Sequence, residues 1–284
     1  MLDDFRKYLE EQGKSQNTIE SYIRHINGFL SWYKGSFEEN FKQLLRMNVR
    51  DYIGYMKNVK RTKDKNKPIN AKTINATISA LIKFNEYLCD NGIQKDIVVN
   101  KKDTLKVQQE VASPANLNKT DVEKFRQKIL IEETFRDYAI ITVMAYAGLR
   151  ISEVIELRLD DVNLHTREIL VRDGKGSKQR LVYINDKIVD SIKEYLKERD
   201  SLSMYLFVSR QSEKLNRTRV NQIFNKHSNT ITPHSLRHFY CSNALEAGYS
   251  VAEVANQAGH KSIQTTMIYT NPSREKMKEK SNLL

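Results

Sequence analysis

The feature of this sequence that most constrains its fold is the recurrence of apolar residues every three or four positions over long stretches. Such spacing places them on one face of a helix. In NTIESYIRHINGFLSWY the face consists of Ile19, Tyr22, Ile23, Ile26, Phe29, Leu30 and Tyr33. Asn17 or Thr18 is expected to cap this helix. FEENFKQLLRMNVRDYIGYMKN and NAKTINATISALIKFNEYLCDNG repeat the spacing, the latter ending near Gly92. With only four prolines and ten glycines in 284 residues, the sequence predicts a mainly helical chain.

The hydrophobic period changes in the second half of the chain. DYAIITVMAYAG predicts a buried helix that ends at Gly148, and EILVRDGKGSKQRLVYI has two β-rich runs around a glycine-containing turn, as in a β-hairpin. YLFV is a candidate for one more strand. Further helices are expected near 186–199, 216–228, 234–246 and 251–257, and from residue 262. The expected fold class is mainly α with a small β-hairpin or sheet (α+β).

A polar joint separates the two halves. The helical period fades in NKKDTLKVQQEVASPANLN, which contains Pro114. We therefore expect a helical domain at residues 1–105, a linker at 106–118, and a second domain with a C-terminal tail at 119–284. Thr120 and Glu123 have the spacing of a capping box at the start of this second domain.

The net charge of +12 points to a polyanionic partner, most simply nucleic acid. A basic protein kept soluble by its charge remains the alternative. A basic run, KNVKRTKDKNKPINAK, lies between two predicted helices and contains a single acidic residue, Asp64. It forms either a solvated loop or a surface that neutralises phosphates. Its candidate DNA-binding residues are Lys57, Lys60, Arg61, Lys63, Lys65, Lys67 and Lys72.

Other features limit the location and the redox chemistry of the chain. No apolar run is long enough to span a membrane, and the first residues lack the apolar core of a signal peptide. Cys89 and Cys241 lie far apart and form no disulfide or metal pattern. A cytoplasmic protein without membrane contact is expected.

The segment TPHSLRH predicts an anion site at the start of a helix. Thr232 is a suitable N-cap and Pro233 suits the first helical position, which places His234 near unpaired backbone N–H groups. Arg237 follows one turn later on the same face, and its planar guanidinium suits phosphate.

A metal site at this helix is disfavoured. His234 and His238 have the i, i+4 spacing of a helical zinc protease, but Ser235 stands where such a site needs glutamate. No nearby side chain offers an obvious third ligand. We expect no metal, and we interpret His238 as a packing or supporting residue.

Four more residues are candidates for a functional role, and each also has a purely structural explanation. Arg150 in AGLRISE either binds a ligand or pairs with Glu153. Lys175 lies between glycines in DGKGSK, at the expected hairpin tip, and is either solvated or close to a ligand. The loop lacks the spacing of a Walker motif. His260 and Tyr269 follow in AGHKSIQTTMIYT, where a lone tyrosine would normally be a packing residue.

Together these residues resemble the signature of the tyrosine recombinases, the phage integrase and Xer family: Arg, Lys, His-x-x-Arg, His and Tyr in this order. The matching positions are Arg150, Lys175, His234, Arg237, His260 and Tyr269. The resemblance covers the second domain fully and the first more loosely. Ala258 stands where the family usually has leucine, which touches none of the six positions.

The resemblance implies a helical core-binding domain and a catalytic domain that form a clamp around DNA. It implies that Tyr269 attacks a phosphodiester and forms a 3′-phosphotyrosyl bond, while Arg150, Arg237 and His260 stabilise the phosphate. Lys175 would protonate the leaving 5′-oxygen, and His234 would assist proton transfer or hold the phosphate. No cofactor, nucleotide or metal is expected.

The resemblance also implies a homotetramer on two double-stranded DNA sites, with accessory proteins or sites left open. The chain starts at the core-binding helices, so we expect a simple Xer-like organisation without an arm-binding domain. The tail NPSREKMKEKSNLL either docks on a neighbouring subunit or is frayed.

The biological role has several candidates. The chain looks most like the small recombinases of mobile elements, including those that resolve transposon cointegrates. Chromosome or plasmid dimer resolution and element integration or excision are rivals. From other classes, a non-catalytic DNA-binding protein, a type IB topoisomerase and a zinc hydrolase remain to be tested.

Overall fold

The computed structural model describes residues 1–62, 66–107, 117–172, 179–209, 212–260, 262–270 and 281–282. The chain divides into two compact units, Met1–Gln109 and Glu110–Leu284. Lys63, Lys65, Lys175 and the tail residues 271–280 and 283–284 lie outside the described part. None of the described helices combines the length and apolarity that crossing a membrane requires.

The first unit is built from helices. They are α1 (Leu2–Glu11), α2 (Gln16–Phe37), α3 (Arg46–Asn58) and α4 (Ala71–Asp90), followed by a 3-10 turn at Lys101–Asp103. Side-chain caps begin the two longest: Ser15 accepts a hydrogen bond from the backbone N–H of Thr18, and Asn70 from that of Thr73. Such caps satisfy N–H groups that have no partner inside the helix.

Aromatic and aliphatic side chains fill the core of this unit. Phe29 of α2 meets Tyr52 of α3 edge to face at 5.2 Å between ring centroids, and Phe5 of α1 meets Phe84 of α4 in the same way at 5.1 Å. Offset and edge contacts of this kind are the favoured aromatic geometries. The helical face expected from apolar spacing is therefore the buried one, with Ile19, Ile26 and Phe29 almost inaccessible to solvent.

Two local expectations for this unit are wrong. The cap of α2 is Ser15 rather than Asn17 or Thr18. The helix expected across FEENFKQLL is absent, because Glu38 ends α2 with a left-handed backbone, φ +56°, and α3 begins only at Arg46. In between, the side chain of Leu44 is buried and its backbone N–H donates to the side chain of Gln94. Tertiary contacts thus override the helical spacing.

The second unit is mixed and begins with three helices. They are α5 (Lys119–Glu132), α6 (Phe135–Ala147) and α7 (Ile151–Glu156). A 3-10 turn at Leu159–Asp161 leads into β1 (Val162–Asn163), β2 (Glu168–Val171) and β3 (Arg180–Tyr183). The remaining helices are α8 (Asp186–Glu198), α9 (Arg217–His227), α10 (Pro233–Glu246), α11 (Val251–Ala258) and α12 (Gln264–Met267).

The three strands form one antiparallel sheet in the order β1-β2-β3. Ile169 is paired with Val182, and both are buried, while Leu181 and Tyr183 of β3 are exposed on the other face. This alternation is what the two-residue period of a half-buried strand predicts. The β2–β3 hairpin is thus confirmed, and the expected turn between its strands lies outside the described residues.

Helix α6 lies at the centre of the second unit and contacts α5, α8 and α10. Nearly every side chain from Ala139 to Ala147 is buried, which explains why its sequence is apolar on all sides. It ends at Gly148, whose φ of +61° favours glycine. A β carbon there would also collide with the ring of Tyr240 on α10. Gly148 therefore allows the end of α6 to lie directly against α10.

The fold class is confirmed: the described chain is mainly helical with a small antiparallel sheet and an N-terminal helical unit. Two details differ in the second unit. Asn118 caps α5 and forms a capping box with Asp121, so the predicted pair Thr120 and Glu123 is wrong. The segment YLFV does not form the expected strand; its Tyr205 makes only an isolated β-bridge with Arg158.

Candidate active site

Arg150 lies at the N-cap of α7, immediately after the turn that ends α6. Its backbone N–H donates to Glu153 Oε2 at 2.7 Å, which fixes the first turn of α7. The guanidinium donates from Nη1 to Glu153 Oε1 at 2.8 Å and from Nη2 to the carbonyl of Gly259 at 2.7 Å. The side chain remains 43% exposed. The ion pair with Glu153 therefore exists and leaves part of the guanidinium facing solvent.

Arg237, on α10, is the most deeply buried of the predicted site residues that the structure describes, with 7% of its surface exposed. Its Nη1 donates to the carbonyl of Gly148 at 2.6 Å, while its Nη2 is buried without a hydrogen-bond partner among the described residues. Burial and the nearby Arg150 charge lower the pKa of Arg237 to about 10, so it stays positive at neutral pH. A buried, unpaired N–H of a cation is costly unless an anion completes it.

His234 lies in the first turn of α10, which begins as its sequence predicts. Thr232 caps the helix, accepting from Ser235 N–H at 3.1 Å, and Pro233 occupies the first turn. His234 Nε2 is 2.7 Å from His238 Nε2, one turn further along. Loss of solvent around the ring and the Arg237 charge lower the pKa of His234 below its ordinary value.

His238 joins this histidine pair to the tyrosine. Its ring centroid is 5.1 Å from that of Tyr269. Burial, together with His234 and Arg237, lowers the pKa of His238 to about 4. The imidazole is therefore neutral at pH 7, which lets the two histidines share one hydrogen bond without repelling each other.

His260 directly follows the glycine that ends α11. Gly259 has a φ of +68°, and its backbone N–H closes the helix end. His260 Nδ1 is 2.7 Å from Thr266 Oγ1, and this buried threonine of α12 fixes the imidazole plane. Burial and the charges of Arg237 and Arg150 lower the pKa of His260 to about 4.

Tyr269 follows α12 and packs on the small apolar cluster beside α10 and α11. This cluster contains Tyr240, Cys241, Ala244, Val254 and Ala258. The ring of Tyr269 is stacked at 16° to that of His260, with the centroids 6.4 Å apart. Burial raises the pKa of the phenol above its ordinary value. The hydroxyl therefore keeps its proton at neutral pH.

These contacts place five of the six predicted site residues in one cluster. Arg150 and Arg237 are linked through the two turns at Gly148 and Gly259, and the tyrosine lies against two of the histidines. The sixth, Lys175, lies outside the described residues. In chemical terms the described part of the cluster combines two cations, a buried guanidinium nitrogen that no described residue accepts from, neutral imidazoles and a phenol.

The sequence did not single out two residues that support the cluster. Arg180 of β3 donates to both carboxylate oxygens of Glu153, at 2.9 and 3.0 Å. Thr266 orients His260. Arg180 is the last residue of the segment GKGSKQR, but a single arginine at this position carries no signal of a partner distant in sequence.

The predicted DNA-binding run lies in the first unit and is divided by the limits of the described residues. Lys57 is at the end of α3 and Lys72 in the first turn of α4, both exposed. Between them, an isolated antiparallel bridge joins Arg61 to Pro68, and Thr62 N–H donates to the carbonyl of Lys67 at 2.9 Å. Among the described residues, no ion pair involves any member of the run. The described part of the loop is thus an exposed basic surface closed by a backbone bridge.

Within the described residues, no group of three or more His, Cys, Asp or Glu side chains is arranged to hold a metal ion. The pair His234 and His238 has neutral rings that bond to each other.

Comparison with known proteins places the chain in a family. The phage integrase family profile matches residues 115–276, and the phage integrase N-terminal SAM-like domain profile matches residues 1–95. The TnP I resolvase of Bacillus thuringiensis is 47% identical over 99% of this chain and 98% of its own length. The tyrosine recombinase XerA of Pyrococcus horikoshii is 28% identical, over 98% of this chain and 91% of its own length.

A solved structure of the Tn1549 transposon integrase in complex with transposon right end DNA has a similar fold. It aligns with a TM-score of 0.70 at 20% identity and covers 98% of this chain and 97% of that one. With this fold and both family matches, the chain belongs to the tyrosine recombinases of the phage integrase family. It is a site-specific recombinase, and the resemblance seen in the sequence is confirmed.

Proposed function

We propose that this recombinase cuts and rejoins double-stranded DNA through a covalent bond between Tyr269 and a DNA 3′-phosphate. The observation that carries the proposal is the position of Tyr269. Its ring lies against His238 and stacks on His260, in the cluster where the buried Nη2 of Arg237 has no partner within the described part of the chain. A phosphate oxygen would supply the acceptor that this nitrogen needs.

The chemical step conserves the energy of the phosphodiester. The Tyr269 oxygen attacks phosphorus, the bond from phosphorus to the 5′-oxygen breaks, and a 3′-phosphotyrosyl linkage and a free 5′-hydroxyl result. The leaving 5′-oxygen takes a proton, which we assign to Lys175 as general acid. Attack by the 5′-hydroxyl of a partner strand reverses the step and completes the exchange.

The arginines supply the electrostatic part of the catalysis. Arg237 and Arg150 would bind the nonbridging oxygens, on which negative charge builds up as Tyr269 attacks. His260, already oriented by Thr266, would add a hydrogen bond to the same oxygens. Arg237 is rigidly held by the Gly148 carbonyl, so little reorganisation is needed when the phosphate arrives.

The histidine pair would handle the proton of the nucleophile. Burial keeps Tyr269 protonated in the DNA-free state by raising its pKa, so the proton must leave during attack. The neutral rings of His238 and His234 can accept a proton, and their shared hydrogen bond offers a path away from the phenol. In this scheme His234 is the working residue and His238 supports it.

DNA is the proposed partner of both units. The basic run Lys57–Lys72 would neutralise phosphates in the first unit, while the second unit binds the scissile phosphate. We further propose a homotetramer that acts on two DNA sites in the cytoplasm. Accessory DNA sites or proteins are compatible with this arrangement.

The biological role that we propose is recombination for a mobile element, either cointegrate resolution or integration and excision. The similarity to the Bacillus thuringiensis resolvase over nearly the full length of both chains supports it. Dimer resolution of the Xer type is the second candidate, supported by the similarity to the XerA of Pyrococcus horikoshii. A plasmid carrying two copies of the bound site as direct repeats, assayed for deletion, tests whether the enzyme resolves such substrates.

Covalent trapping tests the chemistry. Purified protein with chelator present is mixed with nicked duplexes made from DNA flanking its own gene, so that the short cleaved fragment diffuses away. The wild type is expected to give a denaturant-resistant protein–DNA band and Tyr269→Phe none.

Tyr249→Phe is the matched control, because Tyr249 is exposed and lies in the same unit. It should form the band normally. Specific binding of the wild type to the same DNA without any covalent band would refute the proposed chemistry. Relaxation of arbitrary supercoiled DNA would instead favour a topoisomerase.

A further inference from the structure

Arg180 connects the sheet to two parts of the candidate active site. Its guanidinium donates from Nη1 and Nη2 to the two carboxylate oxygens of Glu153, at 2.9 and 3.0 Å. Its Nε donates to the carbonyl of Gln257 near the end of α11, at 3.0 Å. Only 10% of the Arg180 side chain is exposed, so these contacts are largely shielded from water. Arg180 therefore occupies a fixed position between β3, α7 and α11.

Glu153 is shared between Arg180 and Arg150. Oε1 accepts from Nη1 of both arginines, and Oε2 accepts from Arg180 Nη2 and from the backbone N–H of Arg150. All four acceptor positions of the carboxylate are thus occupied. Burial favours a raised pKa for Glu153, but the hydrogen bonds and charge of Arg180, with those of Arg150, lower it below the ordinary value. The carboxylate is therefore ionised at neutral pH.

The charges of this trio do not cancel. Two guanidinium groups face one carboxylate, which leaves a surplus positive charge next to the exposed part of Arg150. Without Arg180, Arg150 and Glu153 would form a neutral pair, and the carboxylate would hold Arg150 more strongly. The attraction of Arg150 for a phosphate would fall accordingly.

The second contact concerns the turn that carries His260. A β carbon at Gly259 would fall 2.6 Å from the guanidinium carbon of Arg180, so the chain passes directly over this side chain. Arg150 Nη2 donates to the carbonyl of the same glycine at 2.7 Å. The two arginines thus contact the same turn, which connects the position of Arg180 with those of Arg150 and His260.

We propose that Arg180 is a positioning residue for phosphate binding. Arg180 neutralises the charge of Glu153 and fixes the Gly259 turn. The charge of Arg150 therefore remains available to the nonbridging phosphate oxygens. The inference rests on the proposed function, because it concerns the phosphate that Tyr269 attacks. A purely structural role for Arg180, as a buried ion pair that only stabilises the fold, is the competing explanation.

Two substrates separate the explanations. One nicked duplex carries the ordinary scissile phosphate, and the other carries a methylphosphonate there, in which a methyl group replaces one nonbridging oxygen and removes its negative charge. A defect in electrostatic stabilisation should matter less on the uncharged substrate. A general loss of structure should impair both substrates equally. Each variant is compared with the wild type on the same substrate, and Arg150→Ala provides the reference pattern.

We expect Arg180→Ala to lower the cleavage rate roughly 100-fold on the phosphate, the size of effect found when one stabilising donor is removed. On the methylphosphonate the loss should be at least several-fold smaller, as for Arg150→Ala. Arg180→Lys should give an intermediate rate on the phosphate, because lysine keeps the charge but lacks the planar fork. Thermal unfolding of each variant shows whether the protein is folded during the assay.

Two results would overturn the inference. Arg180→Ala could cleave the phosphate at the wild-type rate, or it could lose the same factor on both substrates. If it does not fold, Arg180→Gln, which retains hydrogen bonding without the charge, takes its place and must show the same substrate-dependent loss. Absence of any adduct with the wild type on ordinary DNA would refute the proposed function itself, and the inference with it. Normal wild-type cleavage with an unselective Arg180 defect would refute the inference alone.

Discussion

At the residue scale, the environment of Arg237 gives the strongest argument that the site binds an anion. This side chain is charged and buried; its Nη1 donates to the Gly148 carbonyl, while its Nη2 has no hydrogen-bond partner among the described residues. We predict that Arg237→Ala lowers the rate of covalent cleavage by roughly 100- to 1,000-fold, because a preorganised donor to the phosphate is lost. Binding to the same duplex should change little, since many other cations contribute to it.

The control for this prediction is Arg217→Ala, which removes an exposed arginine from the start of α9. Single-turnover cleavage and gel-shift binding are measured on both variants. A cleavage rate for Arg237→Ala close to the wild type would remove Arg237 from the proposed catalytic set.

The histidines of the site make stability depend on pH. Burial and neighbouring positive charges lower the pKa of His238 and of His260 to about 4, while a histidine in the unfolded chain titrates near 6.5. Between these values the unfolded chain binds more protons, so this contribution is complete above about pH 6.5 and is lost as the pH falls towards 4. The free energy of unfolding of the wild type should therefore fall between pH 7.5 and pH 5. We predict that this fall is smaller in His238→Gln than in the wild type.

Urea denaturation of the full chain at the two pH values tests this prediction. The exposed His165 provides the control variant, His165→Gln. An unchanged pH dependence in His238→Gln would show that His238 titrates normally in the folded protein.

Some of the site was predictable from residues alone. Short motifs in a characteristic order predicted five residues that the structure brings together: Arg150, His234, Arg237, His260 and Tyr269. Arg180 and Thr266 were not predicted, since each acts through a partner outside its own helix or strand: Arg180 pairs with Glu153 of α7, and Thr266 contacts His260, which precedes α12. Spacing reveals partners within one helix, whereas partners on different elements become visible only in the folded chain.

At the scale of elements, the junction between α6 and α10 determines where Arg237 stands. Gly148 has a positive φ and lies against the ring of Tyr240. We predict that Gly148→Ala destabilises the second unit by about 1–3 kcal/mol more than Gly248→Ala, because overpacking adds to backbone strain. Gly248 is the matched control, since its φ is +97° and a β carbon there meets no atom within 4 Å.

Denaturant unfolding of both variants gives the difference. The cleavage rate of Gly148→Ala should also fall, because the carbonyl of Gly148 holds Arg237. Equal stabilities of the two variants would mean that Tyr240 moves aside without cost.

The elements themselves were predicted well where local signals were strong. Thr232 and Pro233 located the start of α10, and Gly148 the end of α6. The prediction failed between 38 and 45, where burial of Leu44 and its bond to Gln94 outweigh helical spacing. It also failed at the start of α5, because Asn118 offers a competing cap two residues before Thr120.

At the scale of the whole molecule, the distribution of charge is expected to decide DNA affinity. We predict that replacing Lys57, Lys60 and Lys67 by alanine weakens DNA binding and lowers the slope of log affinity against log salt by up to about 3. Each lost phosphate contact removes roughly 0.9 from that slope. Fluorescence anisotropy over a salt series measures it.

The control variant replaces Lys7, Lys14 and Lys34, which are exposed in the first unit, and removes the same charge. If the basic run contacts DNA, the slope of log affinity against log salt should change little in the control variant. Equal slopes in the two variants would mean that the basic run does not contact DNA and only contributes to solubility.

The central claim is that Tyr269 is the nucleophile, and the most direct measurement identifies the residue that carries the DNA. The covalent adduct formed on a nicked duplex is digested with protease and nuclease, and the modified peptide is located by mass spectrometry. The account predicts one modified peptide containing Tyr269, with a 3′-linked nucleotide on its phenolic oxygen. A nucleotide attached to any other residue, or site-bound protein that yields no modified peptide, would contradict it.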